Sequence, residues 1–95
     1  MLSQMPIDMS KVKKGDLEKE ALRLAIIAEL DAINLYEQLA NQVGDKALKE
    51  VFLDVAKEEK THAGEFQAML LRYDSEQEKE LEAGRAEVEE MLAKK

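Results

Sequence analysis

Two stretches of this chain repeat apolar residues at steps of three and four, and polar groups interrupt both stripes at the same depth. The first stripe is Leu22, Ile26, Glu29, Ile33, Tyr36 and Ala40; the second is Leu48, Phe52, Val55, Glu59, His62, Phe66 and Met69. Such steps place one face of an α-helix against a core. The pattern predicts two amphipathic helices whose greasy seams contain two carboxylates and an imidazole. A carboxylate buried without a partner costs several kcal/mol, so these positions need a compensating charge.

Local signals set the expected boundaries. Asp16 is a good N-cap, and Glu18 and Glu20 sit in a first turn where the helix dipole favours them. Helix 1 then runs to about Gln42, roughly 26 residues or ~39 Å. Val43 and Gly44 end it, with Gly44 as the expected C-cap. Asp45 caps helix 2, which continues to Leu71 or Tyr73. So short a connection makes the pair an antiparallel hairpin. Asp74-Ser75 breaks the pattern, and Ser75-x-x-Glu78 predicts a capping box opening helix 3, which extends to about Leu92. Its stripe is sparse (Leu81, Gly84, Val88, Met91 or Leu92) among seven glutamates. Alone it is marginal and must lean on the hairpin or on a second subunit. Residues 1–15 read as an N-terminal arm: they hold the only proline, Pro6, and a basic cluster of Lys11, Lys13 and Lys14, with Asp8 or Ser10 capping a short turn. The expected organisation is this arm followed by one helical domain over 16–95.

Composition sharpens that picture. With 95 residues and no cysteine, the core must come from helix packing, metal or another copy of the chain. One proline, four glycines and 37% charged residues fit an all-α protein. The consecutive apolar residues Leu24 to Ala28 make helix 1 oily on several faces, more than helix 2 and a short helix 3 can cover, which predicts oligomerisation. The net charge of −7 argues against nucleic acid and anionic membrane surfaces as partners. No apolar run approaches the ~18 residues of a membrane span, and the N-terminus lacks the pattern of a secretory signal. Cytoplasm is the expected compartment.

Counting from Gly44, Glu29 lies 15 residues before the bend and Glu59 lies 15 after it. In an antiparallel pair they stand side by side, with His62 one turn along the same face as Glu59. Two carboxylates and an imidazole suit ferrous iron, manganese or zinc. They are also half of a known constellation: a di-iron bundle site uses a lone Glu from each of two helices and Glu-x-x-His from each of two others. Two copies related by a two-fold axis complete the set, so metal should lie across a dimer interface and promote pairing. Glu-x-x-His alone is a weak signal, and His62 in the run Lys57-Glu58-Glu59-Lys60-Thr61-His62 reads by itself as ordinary surface. Glu29, set between Ile26 and Leu30 at the depth of Glu59, tips the balance to metal. With one histidine and no cysteine, Ser-His-Asp and Cys-His chemistry are poorly supported. Tyr36, two turns from Glu29, reads first as a core aromatic and second as a group reaching the ligands. Asp31, off the stripe, reads first as surface and second as a metal-uptake carboxylate.

The segment Glu29-Leu30-Asp31-Ala32-Ile33-Asn34-Leu35-Tyr36-Glu37-Gln38, followed by Glu58-Glu59-Lys60-Thr61-His62-Ala63, resembles the encapsulated ferritins over about residues 17–92. The resemblance implies a two-helix hairpin with a C-terminal helix, dimerising into a ferritin-like four-helix bundle and assembling into a ring of dimers such as a decamer. It implies a ferroxidase that oxidises ferrous iron at a di-iron centre, two Fe per dimer, for storage inside an encapsulin nanocompartment. By position, Glu29, Glu59 and His62 match iron ligands, Tyr36 a tyrosine beside the centre, and Asp31 an acidic uptake residue. Manganese, zinc or calcium are possible substitutes for iron. The chain departs from the family pattern at Leu35, where tryptophan is frequent, and at Ala28, where a second uptake glutamate occurs. A shell-docking peptide is not evident after Lys95, as expected of a trimmed chain or of a relative whose ferritin-like part is fused to the shell protein. Two other classes stand beside this reading: a helical assembly or scaffold module without chemistry, and a structural, non-redox metal site.

Overall fold

A computed structural model describes residues 8–94. These form one 3-10 turn at Met9–Lys11 and three α-helices: α1 at Leu17–Gln42, α2 at Lys46–Tyr73 and α3 at Ser75–Ala93. No strand occurs among the described residues, so the architecture is all-α. In the arm, Asp8 behaves as the expected cap: its carboxylate accepts from the Ser10 amide at 3.0 Å and from the Ser10 hydroxyl at 2.6 Å. Pro6 and the rest of residues 1–7 lie outside the described residues.

The caps differ from expectation in three places. Asp16 occupies the N-cap of α1, but its side chain caps nothing; the carboxylate instead faces Lys19 at 3.7 Å. α1 ends on Val43, in extended conformation, whose N–H donates to the Leu39 carbonyl. Gly44 is not a left-handed cap, since no described residue has positive φ. The extended exit delivers the chain straight to Asp45, whose carboxylate accepts from the Ala47 and Leu48 amides. At α3 the cap is Asp74, not Ser75. Asp74 has the non-helical backbone that an N-cap needs and accepts from the Gln77 amide at 3.0 Å, while Ser75 is already the first helical residue.

α1 and α2 pack antiparallel along their lengths, with Ala40 and Ala56 fully buried between them and Leu70 buried near the far end. Both alanine positions hold small side chains with no exposed volume to spare. Replacing Ala40 with Leu forces extra volume into this contact and should destabilise the chain by about 1–3 kcal/mol, seen as a lower urea midpoint. The inward seam of α2 runs Phe52, Ala56, Glu59, Ala63, Phe66, Leu70, all buried or half-buried. Two residues assigned to the seam from sequence, Leu48 and Met69, are instead 41% and 45% exposed. Leu48 lies in the first turn of α2, four residues before the inward-facing Phe52. From Phe66, the step of four to Leu70 points at α1, whereas the step of three to Met69 turns to the outer rim.

α3 barely leans on the hairpin. Of the other two helices, only the α2 backbone comes close to that of α3, and the molecule fills an envelope of 46 × 46 × 20 Å. The radius of gyration is 16.9 Å, against about 12 Å for a compact domain of this length. The exposed area of 7480 Å² exceeds the roughly 5500 Å² of a compact monomer of this mass. The helix is held at the corner by Asp74, which also tethers α1 through a 2.7 Å ion pair with Arg23. The Gln77 amide, and then Arg23 and Lys19, hold the Asp74 carboxyl below the usual carboxylate range against its desolvation. A depressed carboxyl contributes above its ordinary pKa, so this corner should weaken only as pH falls below about 4.

Candidate metal centre

The hairpin register brings Glu29 of α1 beside Glu59 of α2, and the three-residue step brings His62 over the same point. One ligand atom from each of the three lies within 4.8 Å of the others. His62 Nδ1 stands 3.6 Å from Glu29 Oε2 and 3.7 Å from Glu59 Oε2. These separations are too long for hydrogen bonds. They are close to the ~3.0–3.4 Å that separates two donors bound to one ion by bonds of about 2.1 Å.

Burial makes the arrangement costly without a cation. The Glu29 and Glu59 side chains are only 17% and 19% exposed. Glu29 Oε2 is buried with no hydrogen-bond partner among the described residues. Neither carboxylate ion-pairs with a lysine or arginine there; Lys60, next in sequence to Glu59, pairs across the hairpin with Glu37 at 3.1 Å instead. An orphaned carboxylate oxygen facing a second carboxylate and an imidazole nitrogen fits a divalent cation with O and N donors. His62 is 44% exposed, so the cluster opens to one side of the hairpin.

The other two residues singled out from sequence lie outside this trio. Tyr36 is half-buried on the α1 seam and stacks on Phe52, with ring centroids 6.2 Å apart; this is the packing of a core aromatic. Asp31 is half-buried, about 200° round α1 from Glu29. The Arg23–Asp74 tether and the Glu37–Lys60 pair were not legible in sequence. Arg23 and Asp74 are 51 residues apart, and no local pattern links such partners.

A sequence profile of the rubrerythrin family matches residues 20–94. A ferritin-like–encapsulin shell fusion protein from Pyrococcus furiosus is 53% identical over 93 residues, which are 96% of this chain and 27% of that protein. The encapsulin nanocompartment cargo protein EncC from Myxococcus xanthus is 40% identical over 57 residues, 60% of this chain and 44% of that one. The chain thus spans about a quarter and under half of the lengths of these two relatives. The crystal structure of the encapsulated ferritin domain from Pyrococcus furiosus aligns with a TM-score of 0.83 at 50% identity, covering 98% of this chain and 97% of that one. The seam of carboxylates and imidazole, the hairpin that carries it and these similarities lead to one conclusion: the chain belongs to the rubrerythrin family of ferritin-like proteins, among the encapsulated ferritins.

Proposed function

We propose that this protein is a ferroxidase that binds ferrous iron at Glu29, Glu59 and His62 and oxidises it to ferric iron at a di-iron centre shared by two copies of the chain. The observation that carries this reading is the buried, unpartnered Glu29 Oε2, held within ligand distance of His62 and beside Glu59. Three donors from one hairpin leave an iron pair short of ligands. A second copy applied to the open, His62-bearing side supplies the other half, for a total of four glutamates and two histidines.

Iron is the substrate here: each of two ferrous ions gives up one electron, and dioxygen takes the pair. The chain's own residues do the rest. Glu29 and Glu59 would hold hard cations and offset their charge, Glu59 bridging or chelating. His62 would give nitrogen, and its exposed edge is the side on which the second copy closes the centre. Tyr36 lines the seam beside the ligands, and Asp31 is assigned as an uptake carboxylate on the outer side of α1. Manganese, zinc and calcium suit the same donors as substitutes. Two of the relatives above are named for encapsulin, one as a shell fusion and one as cargo. That supports placing this chain inside an encapsulin nanocompartment in the cytoplasm, with the shell collecting the oxidised iron and the domain over 16–95 forming dimers and then a ring such as a decamer. Among the described residues no helix is long and apolar enough to cross a membrane.

Native mass measured with and without ferrous iron under nitrogen, followed by absorbance growth in air, tests the proposal. Iron-dependent pairing with ferric absorbance supports it. Tight zinc binding without oxygen consumption on iron would identify a structural metal site, and oligomers indifferent to metal a scaffold.

A further inference from the structure

Two cations stand on one rim of the hairpin near the depth of the metal cluster, and neither pairs with it. Lys60 follows Glu59 directly and lies about 100° round α2 from it; His62 lies about 60° from Glu59 in the other sense, on the opposite rim. Arg23, six residues before Glu29 on α1, is about 120° round that helix, on the same rim as Lys60. Each is held by a carboxylate outside the cluster. Arg23 pairs with Asp74 at 2.7 Å, and Lys60 pairs with Glu37 at 3.1 Å. Glu29 Oε2, buried beside Glu59 and His62, is left without a partner.

We propose, on the strength of the metal-binding reading above, that Glu37 is a positioning residue for the centre: it holds the Lys60 ammonium off Glu29 and Glu59, so that both carboxylates keep their charge for a metal ion. Stability does not call for this pair. Lys60 and Glu37 are 59% and 44% exposed, and exposed ion pairs contribute little to folding.

Lys60 is well placed to quench the site. Counted from Gly44, Glu29 lies 15 residues before the bend and Lys60 lies 16 after it. Packed helices stand about 8–10 Å apart, and the flexible four-carbon stem of a lysine covers that gap toward a glutamate. An ammonium there would give the orphaned oxygen the charge partner that burial demands. It would also take the place of a metal ion. Helix direction explains why it goes to Glu37 instead. Each Cα–Cβ bond tilts toward the N-terminus of its own helix. In this antiparallel pair Lys60 leans toward the Gly44 bend, and Glu37, about 12 Å along α1 from Glu29, leans away from that bend to meet it. Without the Glu37 charge, Lys60 is free to satisfy Glu29. A site open in only a fraction of molecules binds with its dissociation constant divided by that fraction, so Lys60 lodged there in about four of every five metal-free molecules weakens metal about fivefold.

The test is the zinc affinity of the full chain, by competition with a chelating dye at one protein concentration, for the parent, Glu37→Gln, Lys60→Gln and the double variant. Glu37→Gln should weaken zinc at least about fivefold. Lys60→Gln alone should change it less than about twofold, because the ammonium is already held away in the parent, yet the same change in the Glu37→Gln background should restore parent affinity. Two charges acting only at a distance would add, and Lys60→Gln would then tighten zinc by one factor in both backgrounds. Such additivity overturns the inference. So does a Glu37→Gln variant that binds zinc like the parent, or a double variant as weak as Glu37→Gln. Glu50→Gln removes an equal charge from the exposed outer face of α2 and should leave zinc binding unchanged. Metal-free crystals of Glu37→Gln give a direct check. Lys60 Nζ should lie within ~4 Å of a Glu29 or Glu59 oxygen, and an ammonium left in solvent there also overturns the inference. A parent that binds zinc without oxidising iron leaves the inference standing and counts against the ferroxidase reading alone. A parent that binds neither zinc nor ferrous iron removes the site and the inference together.

Discussion

Glu59→Ala should lower the initial rate of ferrous oxidation by at least about 100-fold. Groups that merely orient metal ligands are worth 10–100-fold in metal affinity or activity, and Glu59 is assigned as a ligand itself. Symmetry enlarges the effect, because one substitution removes a donor from each half of a shared centre. His62→Ala and Glu29→Ala should follow in the same direction. Loss of His62 keeps both carboxylates, so its residual iron binding should be the highest of the three. The measurement is stopped-flow absorbance after mixing anaerobic ferrous protein, at two irons per dimer, with aerated buffer. Parent-like rates in all three variants would remove the site assignment, whatever the oligomers do.

Glu29→Leu should invert the response of stability to iron. Without metal, Glu29 Oε2 is buried and unpartnered, and such a group costs about 1–3 kcal/mol. Leucine removes that cost and fits the apolar seam of Ile26, Ile33 and Tyr36. A gain of 1 kcal/mol raises the midpoint of a domain this size by about 4–8 °C, so the metal-free variant should melt several degrees above the parent. Ferrous iron under nitrogen should reverse the order. The parent gains about 4.1 kcal/mol when iron stands at 1,000 times its dissociation constant, more than the cost that leucine removes, while the variant, short of a ligand, gains little. Melting curves at one protein concentration, with and without iron, check this. A scaffold without metal chemistry predicts a variant that stays the more stable at every iron concentration.

Both predictions depend on a site whose chemistry is legible in the sequence. Polar residues at seam positions, equal spacing from the turn and the Glu-x-x-His step together point to three convergent ligands, and the hairpin does bring Glu29, Glu59 and His62 within 4.8 Å. The stop signals were less informative. Asp74 and Ser75 are both good caps, and nothing local says which one adopts the extended backbone; the structure chooses Asp74, the one that also reaches Arg23. Likewise Gly44 invites a left-handed cap, but Asp45 only needs an extended approach, and Val43 provides it.

What the sequence determined by itself is the three-helix plan, the antiparallel hairpin and the facing of its ligand seam. Each follows from helical periodicity and the length of one connection, and those are local properties. Only the tertiary structure decided which of the overlapping apolar stripes on α2 turns inward, that Tyr36 spends its ring on Phe52, and that α3 swings away from the hairpin on a single ion-paired corner. The reason is physical: a stripe records that a face avoids water, while the identity of whatever covers it depends on residues far along the chain or on another molecule.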